Sequence, residues 1–147
     1  MKIFVALCLA LFLGLAFYFF SDKDPLETPQ ISQNSPLSCD LNVKICEVNF
    51  KGKTLKFQMQ PKPIFAMTPV NFEIFGLGEF DFKNPSLEFY GLNMDMGKIK
   101  AKLSKNGEKY SSKIVLSACV IDVMRYRFEI LENGEKTGIF IDFDLKI

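Results

Sequence analysis

Histidine and tryptophan are both absent from this chain of 147 residues. Without histidine there is no Ser-His-Asp or Cys-His catalysis, no His-ligated zinc and no imidazole pH sensor. A surplus of one charge is also missing, because 18 Lys+Arg stand against 17 Asp+Glu. Lys2 precedes an apolar run, and without it the two counts are equal. Phosphate binding needs a basic surplus, so a neutral body excludes nucleic acid as the main partner. There is no Cys-x-x-Cys pair and no βαβ pattern, which argues against a thiol oxidoreductase. Gly76-Leu77-Gly78 is followed by no Walker lysine and is not a phosphate loop. What the chain does have is 48% hydrophobic residues, 24% charged residues and 16 Phe. That composition fills a core and is not that of a disordered chain. At this length it allows one domain with an appendage.

Charge is missing altogether from Ile3 to Phe20, IFVALCLALFLGLAFYFF. As a helix this run would span about 27 Å, close to the hydrocarbon thickness of a bilayer. Lys2 and the α-amino group precede it, and positive charge tends to stay cytoplasmic. The expectation is an uncleaved anchor over residues 1–20, with the N-terminus on the cytoplasmic side and the body on the other side of the membrane. A cleaved signal peptide is the alternative. Against it, the run is long, and Phe19 and Phe20 stand where a cleavage site wants small residues. Cys8 lies too early for a lipoprotein signal and reads as an apolar residue in lipid. Residues 21–38, SDKDPLETPQISQNSPLS, hold three Pro and many polar groups and read as a flexible tether.

From Cys39 to Ile147 the dominant signal is period-two alternation. Leu55, Phe57 and Met59 alternate with polar residues, as do Val70, Phe72 and Ile74, then Ile99, Ala101 and Leu103. Met124, Tyr126, Phe128 and Ile130 repeat the pattern, and Ile139, Ile141, Phe143 and Leu145 close the chain. Such runs are strands with one face in a core. Lys51-Gly52, Asn106-Gly107 and Asn133-Gly134 fall between runs and supply the positive φ of tight turns. The expected domain over residues 39–147 is all-β, an immunoglobulin-like sandwich of seven or eight strands, with a partly open barrel as runner-up. Asp142 and Asp144 read as a solvated strand face, and Lys98, Lys100 and Lys102 as an exposed basic stripe. The Phe-rich span from Phe65 to Phe89 reads as core.

Sulfur is the remaining unusual chemistry. Cys39 and Cys46 lie seven apart, and an exported domain permits a disulfide between them, with a reversible or metal-binding dithiol as the alternative. Cys119 is then the odd thiol, to be explained by burial, intermolecular pairing or ligation. Met94 and Met96 in GLNMDMGK are two apart, so in an extended chain their thioethers face one way. Met124 follows Cys119 by five residues. Soft sulfur donors select Cu(I) over hard cations. Met94, Met96, Cys119 and Met124 are therefore candidate Cu(I) ligands, and the competing reading makes them fillers of core gaps.

The succession Cys39…Cys46, Pro61-Lys62-Pro63, Gly91-Leu92-Asn93-Met94-Asp95-Met96-Gly97, Leu116-Ser117-Ala118-Cys119-Val120 and Met124 is similar to that of small membrane-anchored bacterial proteins of uncharacterised function. It also resembles exported immunoglobulin-like domains of the YtkA-like and FixH-like type. That resemblance implies copper handling or respiratory-oxidase assembly, with an envelope or oxidase-assembly protein as partner. The chain departs from the pattern in Leu116-Ser117 where Leu-Pro is usual, and in Ile121 and Asp122 where a glycine is usual. Tyr126 stands where a tryptophan is usual. The expected function is a non-enzymatic periplasmic Cu(I) binder or carrier, anchored in a bacterial inner membrane. The alternative is a metal-free structural or interaction module of the envelope.

Overall fold

A computed structural model describes residues 35–118 and 121–146 of the chain. The run read as a membrane anchor and most of the tether lie outside the described residues, as does Cys119. Nine strands are formed among the described residues: β1 (Cys46–Phe50), β2 (Lys53–Gln60), β3 (Pro69–Phe75), β4 (Pro85–Gly91), β5 (Ile99–Lys102), β6 (Ser104–Asn106), β7 (Lys109–Val115), β8 (Val123–Glu132) and β9 (Glu135–Lys146). They make two antiparallel sheets, ordered β1-β2-β3-β7-β6 and β5-β4-β8-β9. The only helical element described is a 3₁₀ turn at Leu77–Glu79.

The alternating residues do what their period requires. Phe57 pairs with Ile74, Met59 with Phe72 and Val70 with Ile114 on the inner face of the first sheet. Leu87 pairs with Ile130, Phe89 with Phe128 and Tyr126 with Phe143 on the inner face of the second. All twelve are buried, so the two faces close on one another as a β-sandwich. Phe72 of one sheet stacks on Phe128 of the other, centroids 4.8 Å apart. At about 25 cal/mol per Å², burying each such ring contributes on the order of 2–3 kcal/mol.

The expected turns join neighbouring strands. Lys51 and Gly52 (φ 48° and 79°) connect β1 to β2, and Asn133 and Gly134 (φ 49° and 89°) connect β8 to β9. Positive φ at both central positions matches the twist of the flanking strands. The strand count exceeds seven or eight because the Ile99–Leu103 run does not continue as one strand. β5 pairs with β4, whereas β6 pairs with β7 in the other sheet. Leu103, between them, is buried at this crossing. Consecutive strands β3 and β4 lie in different sheets, and each pairs with one of a second such couple, β7 and β8.

Candidate functional site

The candidate sulfur residues lie at one end of the sandwich. Met94 and Met96 lie between β4 and β5, Met124 is the second residue of β8, and Cys119 belongs to the β7–β8 connection outside the described residues. The β4–β5 connection is clamped onto the start of β8. The Leu92 amide donates to the Arg125 carbonyl at 2.7 Å. The Asn93 side chain donates to the Val123 carbonyl at 2.9 Å and accepts from the Arg125 amide at 2.9 Å. Residue 92, residue 93 and the Met124 peptide are thereby held side by side.

Gly91 makes this approach feasible. A Cβ there would fall on the Met94 carbonyl and 2.7 Å from the Met124 methyl. Met124 is wholly buried, and Met94 and Met96 are partly buried and packed against the core. The Asp95 carboxylate accepts from the Gly97 amide at 2.9 Å, which closes the loop on itself. Three thioether side chains thus come from two segments fixed to each other. Among the described residues no group of three or more Cys, Asp or Glu could hold a metal ion.

Cys39 and Cys46 form a disulfide, Cα–Cα 5.8 Å. With Leu37 it lines one side of a groove of about 380 Å³ between the edge strands β1 and β9, apart from the methionines.

The outer face of the second sheet holds what the alternation pattern alone missed. Asp142 and Asp144 are not a solvated face. Arg127 binds Asp142 through two bonds of 2.8 and 2.9 Å, and Arg125 binds Asp144 through two of 2.7 and 2.8 Å. Arg125 also donates to the Ser35 carbonyl at 2.9 Å, and its Nη1 is buried with no hydrogen-bond partner. The paired carboxylate raises each guanidinium pKa, first through the hydrogen bonds and then through charge, against the opposing pull of burial. Glu88 and Glu129 are buried on this face beside Lys98, Lys100 and Lys136. Burial and the Glu129 charge push the Tyr90 phenol up, and the bond to Glu129 pushes Lys136 up. The signal that could have found this lattice was Arg-x-Arg and Asp-x-Asp on two strands flanking one Asn-Gly turn.

Compared with protein-family models, with curated proteins and with solved structures, the chain matches none.

Proposed function

We propose that this chain is a membrane-anchored envelope protein whose exported domain binds Cu(I) through the thioethers of Met94, Met96 and Met124, with Cys119 as fourth donor, and hands it to an envelope partner. The observation that carries this reading is the Asn93 clamp, which fixes the Met94 segment to the start of β8 beside Met124. These bonds carry the pairing of β4 with its sheet neighbour β8 past Gly91 and into the loop that holds Met94. Thioethers are neutral, soft donors suited to Cu(I), and methionine's three side-chain torsions let a buried sulfur re-aim toward an ion. The anchor in this reading is Ile3–Phe20, with the domain on the periplasmic side.

The sandwich in this reading is immunoglobulin-like. Two features support it. One is the interlocking of β3–β7 with β4–β8 across the two sheets. The other is Tyr126, near the start of β8, whose hydroxyl donates to the Ser117 carbonyl nine residues upstream at 2.7 Å. That contact is of the tyrosine-corner type.

The test is Cu(I) titration against a competing chelator under reducing conditions. Met94→Leu with Met96→Leu should weaken binding by more than about 100-fold, the upper range for losing a mere outer-shell partner. Unchanged affinity would remove the copper assignment. The metal-free module is favoured by one observation, the packing of the Met124 methyl on Gly91 as a core filler. In that reading the double substitution alters stability alone.

A further inference from the structure

We infer that the end of the sandwich holding the β2–β3, β4–β5 and β7–β8 connections lies against the lipid surface of the membrane that anchors the chain. This rests on the anchored reading above and extends it to the folded domain.

The large hydrophobic residues left exposed are distributed unevenly. Among the described residues there are eight, and seven belong to this end. Val43 and Ile45 precede β1, Phe65 and Met67 lie between β2 and β3, Val115 ends β7, Val123 opens β8 and Ile99 opens β5. Val43, Phe65 and Met67 are 75%, 60% and 69% exposed. The eighth, Phe140, lies along β9 under the Arg127 guanidinium at 4.1 Å. The opposite end, with the turns at Lys51-Gly52, Gly107-Glu108 and Asn133-Gly134, contributes none.

These side chains are held out by built turns. The amides of Val43 and Lys44 donate to the Asp40 carbonyl, Asp40 also binds Asn42, and the Cys39–Cys46 disulfide closes that loop. Asn42 ties it to the Asp144 carbonyl at 3.1 Å, near the end of β9. Thr68 donates to the Phe65 carbonyl. Met67 is held at φ 58° by a bond from its amide to the Leu116 carbonyl. That backbone region disfavours a methionine, and here it presents the side chain to the outside of the fold instead of filling the core.

Lipid is the occupant that fits, for two reasons. The first is where the described chain starts: Ser35 meets Arg125, the third residue of β8 counted from this end. Only residues 21–34 separate Ser35 from the apolar run, a reach of at most about 50 Å. The second is charge. Lys44 stands exposed between Val43 and Ile45, and Lys62 lies three residues before Phe65. Of the acidic residues at this end, Asp40, Asp95 and Asp144 have partners within the fold, while Asp122 beside Val123 is exposed. Apolar side chains interspersed with lysine are the composition that settles at an anionic headgroup boundary.

The absence of tryptophan makes the test direct, because a single introduced tryptophan is the sole indole reporter. The full chain carrying Phe65→Trp, Val43→Trp or Glu108→Trp is reconstituted into phosphatidylglycerol–phosphatidylethanolamine vesicles with plain or brominated acyl chains. Emission from the first two should fall by about two-fold or more with brominated lipid, and that from Glu108→Trp, at the opposite end, should not change. Protein that floats with the vesicles while both end reporters stay unquenched overturns the inference and leaves the anchor reading standing. The apolar end would then belong to a protein partner. Protein that fails to float with the vesicles overturns both.

Discussion

Gly91 and Glu73 show how much depends on single atoms. At Gly91 an added methyl meets the Met94 backbone carbonyl as well as the Met124 methyl. Gly91→Ala should therefore lower stability by about 1–3 kcal/mol in urea titrations. Shortening Met124 in the same chain should not restore it, because the carbonyl cannot move aside without breaking the Asn93 clamp. Glu73 lies between Lys109 and Gln58 on the outer face of the first sheet. Burial pushes its carboxyl up, but the bonds from Lys109 and Gln58 and the lysine charge outweigh burial, so its pKa is lowered. A lowered carboxyl contributes stability above its unfolded value and loses it as pH falls through the folded one. Glu73→Gln should thus be less stable than the parent at neutral pH. The gap should close as pH falls below about 4.5, read as urea midpoints across that range. A gap that persisted at low pH would mean the carboxylate charge plays no part.

The β8–β9 hairpin carries a change of register with chemical consequences. Near the turn Glu132 pairs with Glu135 and Leu131 with Lys136. An unbroken ladder from there would set Arg125 across from Asp142. Instead the pairing shifts by two residues beyond Leu131, and Arg125 faces Asp144 while Arg127 faces Asp142. Gly138 at φ 84° accommodates the irregularity, and the Thr137 hydroxyl bridges it by donating to the Ile130 carbonyl and accepting from the Ile139 amide. Both guanidinium groups thereby gain a two-bonded carboxylate. Arg125 is nearly out of reach of water, so removing Asp144 strands a buried cation. Asp144→Ala should cost about 3 kcal/mol or more. Replacing both residues by Leu and Met should cost less than the two single changes added together, by about 1–3 kcal/mol in a double-mutant cycle. Additive costs would mean that the pair is solvated after all.

As a molecule the chain divides after Gln30. The body from Ile31 to Ile147 forms one compact unit, and the core residues named above all lie inside it. Expressed from Ile31, it should unfold in a single urea transition, with coincident curves by circular dichroism and tyrosine emission. Separate curves would show that the two sheets do not share one cooperative core. That body is also the material for the Cu(I) titration, since it carries every proposed donor. The molecule is asymmetric end to end. One end collects the methionine segments, seven of the eight exposed large apolar side chains and the entry of the chain at Ser35, whereas the other end exposes none of the eight.

Alternation written into Leu55–Met59, Val70–Ile74, Met124–Ile130 and Ile139–Leu145 determined the strands and their inner faces, because a period of two has only one way to bury its apolar half. The Lys51-Gly52 and Asn133-Gly134 turns were equally legible, since their backbone conformation is local. The disulfide was legible as a pair that spacing allowed, and the fold brought its cysteines together. Tertiary structure decided everything that required two distant segments to meet. It split the Ile99–Leu103 run between sheets, since Leu103 finds burial at a crossing that no local pattern encodes. It turned Asp142 and Asp144 from a water-facing stripe into partners of two arginines, because strand register depends on a bulge and on packing rather than on composition. It also seated Asn93 against β8, drawing Met94 and Met124 into one neighbourhood, because a hydrogen bond across 30 residues of chain exists only once β4 and β8 have paired.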